Sequence, residues 1–350
     1  MNLPDIPTRI ALAPMAGGVC TPELVAAVAD AGGLGFLATG YLDADRVRDD
    51  LAAVRALTDR PFAVNLFVPG APSDRRRERA EAYAARLGAW LGDASLLEPP
   101  RYSDDAYDDK IGVALEARPA LVSFAFGLPS AEVVEVFRDI DVPVAVTVTT
   151  SAEARSAVDA GADVLVVQGW EAGAHRGTFD DEDTDEQPGL LTLLRLVAQE
   201  TGGTPMIAAG GIADGAGVAA VLAAGAEVAM LGTAFLRCPE AGTSPVHRAA
   251  LVAPGATTVT RAFTGRRARG IDNAMLRAMH DHAPSAYPEV NFVTTRLRSE
   301  ARSSGDPEHL HLWAGQAHTL ARELPAGELT RTLAREAAEA AARAARLLGS

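Results

Sequence analysis

The sequence contains little cysteine and no long apolar run. Its 350 residues include two cysteines, Cys20 and Cys238, which are too few for a disulfide framework, and no CxxC or HxxxH spacing typical of metal ligands. The first residues lack a basic stretch, and their one apolar run is interrupted by prolines and too short to span a membrane. We therefore expect a soluble cytoplasmic protein that binds no metal.

Positive charge is also scarce. The formal net charge is −14 at pH 7, and Lys110 is the only lysine. Because nucleic acids and anionic membranes would repel such a chain, neither is expected as a partner. An anionic substrate would need a local positive field, and the arginines of "GRRARG" 265–270 either supply that field or lie in solvent.

Short apolar runs alternate with alanine-rich amphipathic segments, which is the pattern of parallel strands connected by helices. Each run is apolar throughout, as expected of strands covered on both faces. Eight such units predict a TIM barrel, whereas an open dinucleotide-binding sheet would need a GxGxxG turn where "PMAGG" follows the first strand. The predicted strands are 9–14, 35–40, 62–67, 121–126, 143–148, 164–169, 205–211 and 227–232.

The alternation divides the chain into two regions. The barrel is predicted over residues 1–238, with a helical insertion at about 70–118. A mainly helical region follows over 239–350. Because an open active-site face needs a cover that excludes water, we expect this region to lie over the barrel mouth. The oligomeric state stays open, a homodimer included.

The carboxyl ends of the predicted strands carry small and polar residues, and this is where TIM barrels place their reactive groups. The turn "PMAGG" after strand one lets backbone atoms approach a flat ligand, because its alanine and glycines add little bulk. Asn65 in strand three and Gln168 at the end of strand six provide carboxamides that can both donate and accept hydrogen bonds.

Two glycine-rich turns follow the last two strands. "AAGGIADG" contains Gly210 and Gly211, and "LGTAF" contains Gly232 and Thr233. TIM barrels commonly bind phosphate at these two positions, through backbone N–H groups and a helix N-terminus. A phosphorylated ligand is therefore predicted, and with two carboxamides near the axis FMN fits better than a sugar phosphate.

An isolated histidine, His175, lies in the loop after strand six, "VQGWEAGAHRGTF" 167–179. An imidazole with an ordinary pKa near 7 at this position indicates a general base or a hydrogen-bond donor rather than a surface histidine. Arg176 either holds an anion or forms a salt bridge with Glu171. Tyr287 in "SAYPEV" either reaches the substrate from the helical region or is a buried structural tyrosine.

Several of these segments together resemble the nitronate monooxygenases, formerly called 2-nitropropane dioxygenases. The resemblance is carried by "PMAGGVCTPELVAAVADAGGLGFLATGYL", "FAVNLFVP", "VQGWEAGAHRGTF", "PMIAAGGIADG" and "GTAFLRCPEAG", and it extends to "TRAFTGRRARGIDN" and "LHLWAGQAHTLARELP". The family consists of FMN-dependent TIM barrels with a helical second domain, so the resemblance implies the same architecture here.

The resemblance also implies the site residues, with His175 as the catalytic residue. The positions implied to contact FMN are Asn65, Gln168, Gly173, Gly211, Met230, Leu231, Gly232 and Thr233, and we expect Pro14, Met15, Ala16, Ala174 and Gly210 beside them. Two positions depart from the family. Ala174 replaces a usual glycine, which we expect to require a negative φ, and Met230 replaces a common glutamine.

The reaction implied by the resemblance is oxidation by O2 of alkyl nitronates such as propionate 3-nitronate, and of nitroalkanes, to carbonyl compounds with release of nitrite. Two other functions stay open. One is an FMN-dependent NAD(P)H reductase of enoyl thioesters or quinones. The segment "EAG" followed by a histidine, at 171–175, is shared with FMN-dependent enoyl-acyl-carrier-protein reductases. The other is a flavin-binding barrel without catalytic activity.

Overall fold

Eight parallel strands form the centre of the protein. A computed structural model describes residues 3–182 and 186–349 of the chain. The eight strands are β1 (Ile10–Leu12), β2 (Gly35–Ala38), β3 (Phe62–Phe67), β4 (Leu121–Ala125), β5 (Val144–Val148), β6 (Val164–Gln168), β8 (Met206–Ala209) and β9 (Val228–Leu231). Each lies within one of the eight predicted strands, so β8 and β9 are the predicted strands seven and eight. Three short strands, β7 (Ala174–His175), β10 (Thr257–Thr260) and β11 (Ala268–Ile271), form a separate sheet in the order β10-β11-β7.

The eight strands close into a barrel. Hydrogen-bonded neighbours follow the order β1-β9-β8-β6-β5-β4-β3-β2. The two end strands meet because Leu12 N donates to Leu34 O at 2.9 Å and Leu34 N donates to Ile10 O at 3.0 Å. Every strand therefore has a neighbour on both sides, as in a TIM barrel. The fold class predicted from the sequence is confirmed.

Side chains of the barrel wall are buried on both faces. Residues such as Phe36 and Ile207 belong to a cluster inside the barrel, while their chain neighbours Leu37 and Ala208 pack in the larger cluster beneath the surrounding helices. Full burial of one large aliphatic or aromatic side chain contributes about 1.5–3 kcal/mol. Burial of both faces explains why the strand segments are apolar throughout rather than alternating.

Helices connect the strands and surround the barrel. Among the described residues they are α1 (Pro22–Asp30), α2 (Ala44–Leu57), α3 (Asp74–Leu91), α4 (Tyr107–Ala117), α5 (Ala131–Arg138), α6 (Ser151–Asp159), α7 (Leu190–Glu200), α8 (Gly215–Ala223), α9 (Pro245–Val252), α10 (Ala274–Met279), α11 (Glu289–Val293), α12 (Thr295–Ser304) and α13 (Ala326–Leu347). Short 3-10 turns lie at Ala94–Leu96, Thr233–Phe235, His280–His282 and His318–Leu320. The predicted insertion at about 70–118 contains α3 and α4. None of the described helices is both long and apolar enough to cross a membrane.

The last helix, α13, completes the outer ring of helices. It packs against α8 and α1, and its Leu329 and Leu333 join the large hydrophobic cluster of the barrel. Residues 239–325, between β9 and α13, hold α9 to α12 and the strands β10 and β11. The expectation that all of 239–350 covers the barrel mouth is therefore wrong for α13, because its apolar face is buried between two barrel helices.

The contact between α8 and α13 depends on a glycine. A Cβ atom added to Gly215 would lie 2.6 Å from Ala337 N and from the carbonyl carbon of Glu336, so a side chain there must push the helices apart. We predict that Gly215→Ala lowers the free energy of unfolding by about 1–3 kcal/mol, as overpacking does elsewhere. Urea denaturation followed by circular dichroism measures the change.

The matched control is Gly112→Ala in α4. Nothing lies within 4 Å of a Cβ added there, so the variant should raise the free energy of unfolding by up to about 1 kcal/mol through helix propensity alone. If Gly215→Ala proved as stable as Gly112→Ala, the tight contact between α8 and α13 would be disproved.

Candidate active site

A cavity of about 500 Å³ opens at the carboxyl ends of the barrel strands. Turns after β1, β6, β8 and β9 form its floor, and residues from α11, α12 and the segment 310–317 form its cover. Most of the sequence-predicted site residues line it: Pro14, Met15, Ala16, Asn65, Gln168, Gly173, Ala174, His175, Gly210, Gly211, Met230, Gly232 and Thr233. Leu231 lies buried within β9 and does not line the cavity.

The two glycine-rich turns leave backbone donors free at one end of the cavity. Gly210 has φ +111° and Gly211 has φ +70°, and a Cβ on Gly211 would lie 2.9 Å from Glu171 Cβ. The N–H groups of Gly211, Gly232 and Thr233 donate to no other described residue. Such unpartnered amides are suited to binding an anion.

The two predicted carboxamides have different surroundings. Asn65 Nδ2 donates to Ser123 Oγ at 2.9 Å, which leaves its oxygen without a donor among the described residues. Gln168 is more fully engaged, since its Nε2 donates to His175 O at 3.0 Å and its Oε1 accepts from Gly177 N at 2.8 Å. Asn65 can therefore offer an acceptor to a ligand, whereas Gln168 mainly holds the loop that contains His175.

His175 is enclosed by aromatic rings. The ring centroids of Phe126, Tyr287 and Trp313 lie 5.7–5.8 Å from that of its imidazole. Its Nε2 is 2.9 Å from Thr264 Oγ1, in hydrogen-bond contact. Because one ring nitrogen is held by this threonine, the imidazole has a fixed orientation at the cavity wall.

The surroundings of His175 keep it neutral. Burial, followed by the positive charges of Arg266 and Arg298, lowers the pKa of His175 to about 3. The expectation of an ordinary imidazole pKa near 7 is therefore wrong. The sequence could not reveal this shift, because both arginines reach the loop from distant parts of the chain.

Ala174 has a left-handed backbone, with φ +60°. The expectation of a negative φ at this position is wrong. The backbone is held by β7, in which Ala174 pairs with Arg269 and His175 pairs with Ala268 of β11. The next residue back, Gly173, packs so closely that an added Cβ would lie 2.5 Å from Gly315 N. The loop is therefore fixed by its contacts at the cost of strain at the alanine.

Arg176 does not face the cavity. The residue is 7% exposed, and its guanidinium donates to Gln168 O at 2.7 Å and to Thr149 O at 3.0 Å. The carboxylate of Glu171 instead accepts from Leu190 N, at the start of α7. Both expectations for Arg176, an anion contact and a salt bridge with Glu171, are therefore replaced by a structural role at the ends of β5 and β6.

Tyr287 lies behind His175 rather than in the main cavity. Its Oη donates to Tyr41 Oη at 3.2 Å, and it borders a neighbouring cavity of about 790 Å³. The cluster "GRRARG" is likewise built into the structure, since Arg266 and Arg269 are buried and donate to backbone carbonyls such as Arg176 O and Trp170 O.

Sequence reasoning missed the charged residues of the cavity cover. Arg298 and Arg302 of α12 line the cavity, as do His247, His311 and Trp313. None of the described residues that line it is Asp or Glu. The one available signal was "TTRLRSEAR", but in a chain whose basic residues are almost all arginine it does not stand out. Among the described residues, no group of three or more His, Cys, Asp or Glu is placed to hold a metal ion.

Comparison with known proteins agrees with this geometry. A sequence model of the family described as nitronate monooxygenase matches residues 5–336. The chain belongs to the nitronate monooxygenase family. The nitronate monooxygenase of Paraburkholderia phytofirmans is 41% identical over 353 residues, which cover 96% of this chain and 94% of the relative. That of Pseudomonas aeruginosa is 43% identical over 351 residues, which cover 96% and 97%.

Solved structures show the same relationship. The nitroalkane oxidase from Streptomyces ansochromogenes matches with a TM-score of 0.92 and 46% identity, over 97% of this chain and 98% of that one. FabK from Thermotoga maritima matches with a TM-score of 0.75 and 26% identity, over 97% and 95%. This member of the nitronate monooxygenase family is therefore more similar to the oxidase than to FabK.

Replacing the strained alanine by the glycine usual in nitronate monooxygenases should stabilise the protein. A left-handed backbone destabilises an L-residue by about 1–2 kcal/mol, and glycine removes this strain. Glycine also has more conformational freedom in the unfolded chain, which lowers the gain in stability by about 0.4–1 kcal/mol. We predict that Ala174→Gly raises the free energy of unfolding by up to about 1.5 kcal/mol, measured by urea denaturation. The control Ala220→Gly, in the middle of α8, should lower it by about 1 kcal/mol. Equal losses in both variants would show that Ala174 carries no strain.

Proposed function

We propose that this member of the nitronate monooxygenase family binds FMN and oxidises alkyl nitronates, such as propionate 3-nitronate, with O2 to carbonyl compounds and nitrite. The observation that carries the proposal is the charge of the cavity lining, which holds two arginines, a neutral His175 and, among the described residues, no carboxylate. An anionic substrate is favoured by that lining. The relatives named nitronate monooxygenase and nitroalkane oxidase support the same chemistry.

The residues present fit FMN. The free N–H groups of Gly211, Gly232 and Thr233 would hold the phosphate, and the free oxygen of Asn65 would accept from the flavin ring. The cavity volume falls within the range of about 300–1,000 Å³ typical of cofactor and ligand sites. When bound, FMN supplies the electron transfer between the nitronate and O2.

The protonation state of His175 favours a nitronate over a nitroalkane. A nitronate is already deprotonated, so it needs a hydrogen-bond donor rather than a base, and a neutral imidazole can donate one N–H to its oxygens. A neutral nitroalkane must first lose its α-proton. Since an imidazole with a pKa of about 3 is a weak base, proton abstraction by His175 is slow, and the nitronate is the better substrate.

Aromatic rings beside His175 keep water away from the reacting groups. Phe126 and Trp313 line the cavity and are in ring contact with the imidazole. An apolar wall of this kind strengthens the hydrogen bonds made inside it, because competing water is excluded. It also provides a surface against which the carbon chain of the nitronate can pack.

An anaerobic flavin spectrum tests the proposal. We predict that the purified protein contains FMN and that propionate 3-nitronate, added without oxygen, decreases the flavin absorbance within the mixing time, whereas NADH and NADPH do so at least about 100-fold more slowly. Rapid reduction by NADH or NADPH with no response to any nitronate would establish a reductase instead. A bound flavin that responds to neither would establish a binding protein without this activity.

Substitution of His175 separates its two roles. We predict that His175→Ala keeps FMN but lowers kcat/KM for propionate 3-nitronate about 10- to 100-fold, because the N–H donated to the nitronate is lost. The already slow rate on neutral nitroethane should change by less than about threefold, because an imidazole with a pKa of about 3 contributes little as a base. Oxygen consumption measures both rates. His309→Ala is the control, since His309 pairs with Asp306 away from the cavity and should change neither rate.

The pH profile provides a second check on His175. Because burial, Arg266 and Arg298 hold its pKa near 3, the imidazole is deprotonated throughout pH 5–8. The wild-type kcat/KM for neutral nitroethane should therefore show no step near pH 6.5. A tenfold fall between pH 7.5 and 5.5, or equal loss of both activities in His175→Ala, would refute this account of His175.

A further inference from the structure

Arg298 is a charged side chain of the cavity that has no acidic partner among the described residues. Its Nε donates to Thr294 Oγ1 at 2.9 Å, and its Nη2 donates to Asn291 O at 2.7 Å and to Asn291 Oδ1 at 2.9 Å. These bonds fix the guanidinium against the α11–α12 junction. Within the described chain, Nη1 has no acceptor and no carboxylate forms an ion pair with the group.

The free edge of this guanidinium belongs to the same cavity as His175. Arg298 lines the cavity, and its positive charge contributes to the lowered pKa of His175. It lies in α12 of the cover, whereas the free amides of the glycine-rich turns lie in the barrel floor. Two separate positive regions are therefore available, one for the phosphate of a cofactor and one for another anion.

Arg302 adds to the positive field around Arg298, whereas the neighbouring His311 is neutral because burial lowers its pKa well below the ordinary value. Arg302 lies four residues further along α12, on the same face of the helix, and also lines the cavity. His311 lines it as well, and its buried Nδ1 has no hydrogen-bond partner within the described chain. A buried positive charge without an acidic partner is unfavourable, and an anion bound at this position would pair with it.

We propose that Arg298, with Arg302 beside it, binds a carboxylate at the end of the substrate chain remote from the nitro group. The inference rests on the proposed function, which places the nitronate beside His175. The apolar rings around His175 then contact the carbon chain, and a carboxylate at its far end reaches the free edge of Arg298. Arg298 thereby selects nitronates that carry a second negative charge over simple alkyl nitronates.

Two nitronates of equal chain length test the proposal. The wild-type protein should have a kcat/KM for propionate 3-nitronate at least about 10-fold above that for propyl-1-nitronate. Arg298→Met should lower the first value about 10- to 100-fold, mainly through KM, as expected for loss of a hydrogen-bonded charge pair, and should leave the second within about threefold. Arg298→Lys keeps the charge and should recover part of the lost kcat/KM for propionate 3-nitronate.

Arg296→Met, on the exposed side of α12, is the control and should change the kcat/KM for neither nitronate.

Binding of propionate provides a readout that is independent of turnover. Propionate should perturb the flavin absorbance of the wild-type holoenzyme with a Kd at least about 10-fold lower than that of neutral propionamide, and Arg298→Met should abolish the difference. The proposal would be overturned if Arg298→Met lost equally on both nitronates, or if both Arg298→Met and Arg298→Lys lost FMN. It would also be overturned if the wild-type protein bound propionate and propionamide equally. If the wild-type protein oxidised no nitronate yet still preferred propionate through Arg298, the proposed function would fail while the carboxylate subsite stood.

Discussion

The described residues that line the cavity include no carboxylate, although the protein has a net charge of −14. The acidic residues near the cavity are engaged elsewhere. Glu153 accepts from Thr149 N and Phe179 N, and Glu171 accepts from Leu190 N. Asp181 pairs with Arg261 and Arg267, beside β10 and β11. The nearby negative charges thus hold loops in place instead of facing the ligand. The positive field of the cavity results from this separation, because few cations suffice where no anion opposes them.

The same separation sets the protonation states on which the chemistry depends. Burial, together with the charges of Arg266 and Arg298, lowers the pKa of His175 and keeps the imidazole neutral. It also lowers the pKa of Arg298, to about 10, and yet leaves this residue charged at neutral pH. The planar guanidinium is oriented by its hydrogen bonds to Thr294 and Asn291. A neutral donor beside this fixed cation is suited to an anionic substrate.

Much of the fold could be predicted from the sequence, because burial of both strand faces leaves a direct signal in apolar runs such as 62–67 and 164–169. Glycine-rich turns and the isolated His175 also follow from local pattern. The position of α13 could not be predicted, because the helix that packs against α8 is separated from β9 by a long segment. Arg298 was missed because it stands out only through its surroundings, in which no described acidic residue pairs with it. Which charged groups surround a side chain is decided by tertiary packing, and no sequence motif predicts it.

The loop that carries His175 and the turn after β9 are joined by one segment of the cover, residues 313–316. Gly315 N donates to Thr233 Oγ1 at 3.0 Å, and Gln316 N donates to Glu171 O at 3.1 Å, while Gly173 packs directly against Gly315. A shift of this segment would displace both the turn after β9 and the loop that carries His175. The cover is inserted between β9 and α13, so the barrel anchors it at both ends. The positions of His175 and of the free amides after β9 are therefore fixed by the same contacts, and the strained backbone of Ala174 is a consequence of fitting the loop between barrel and cover.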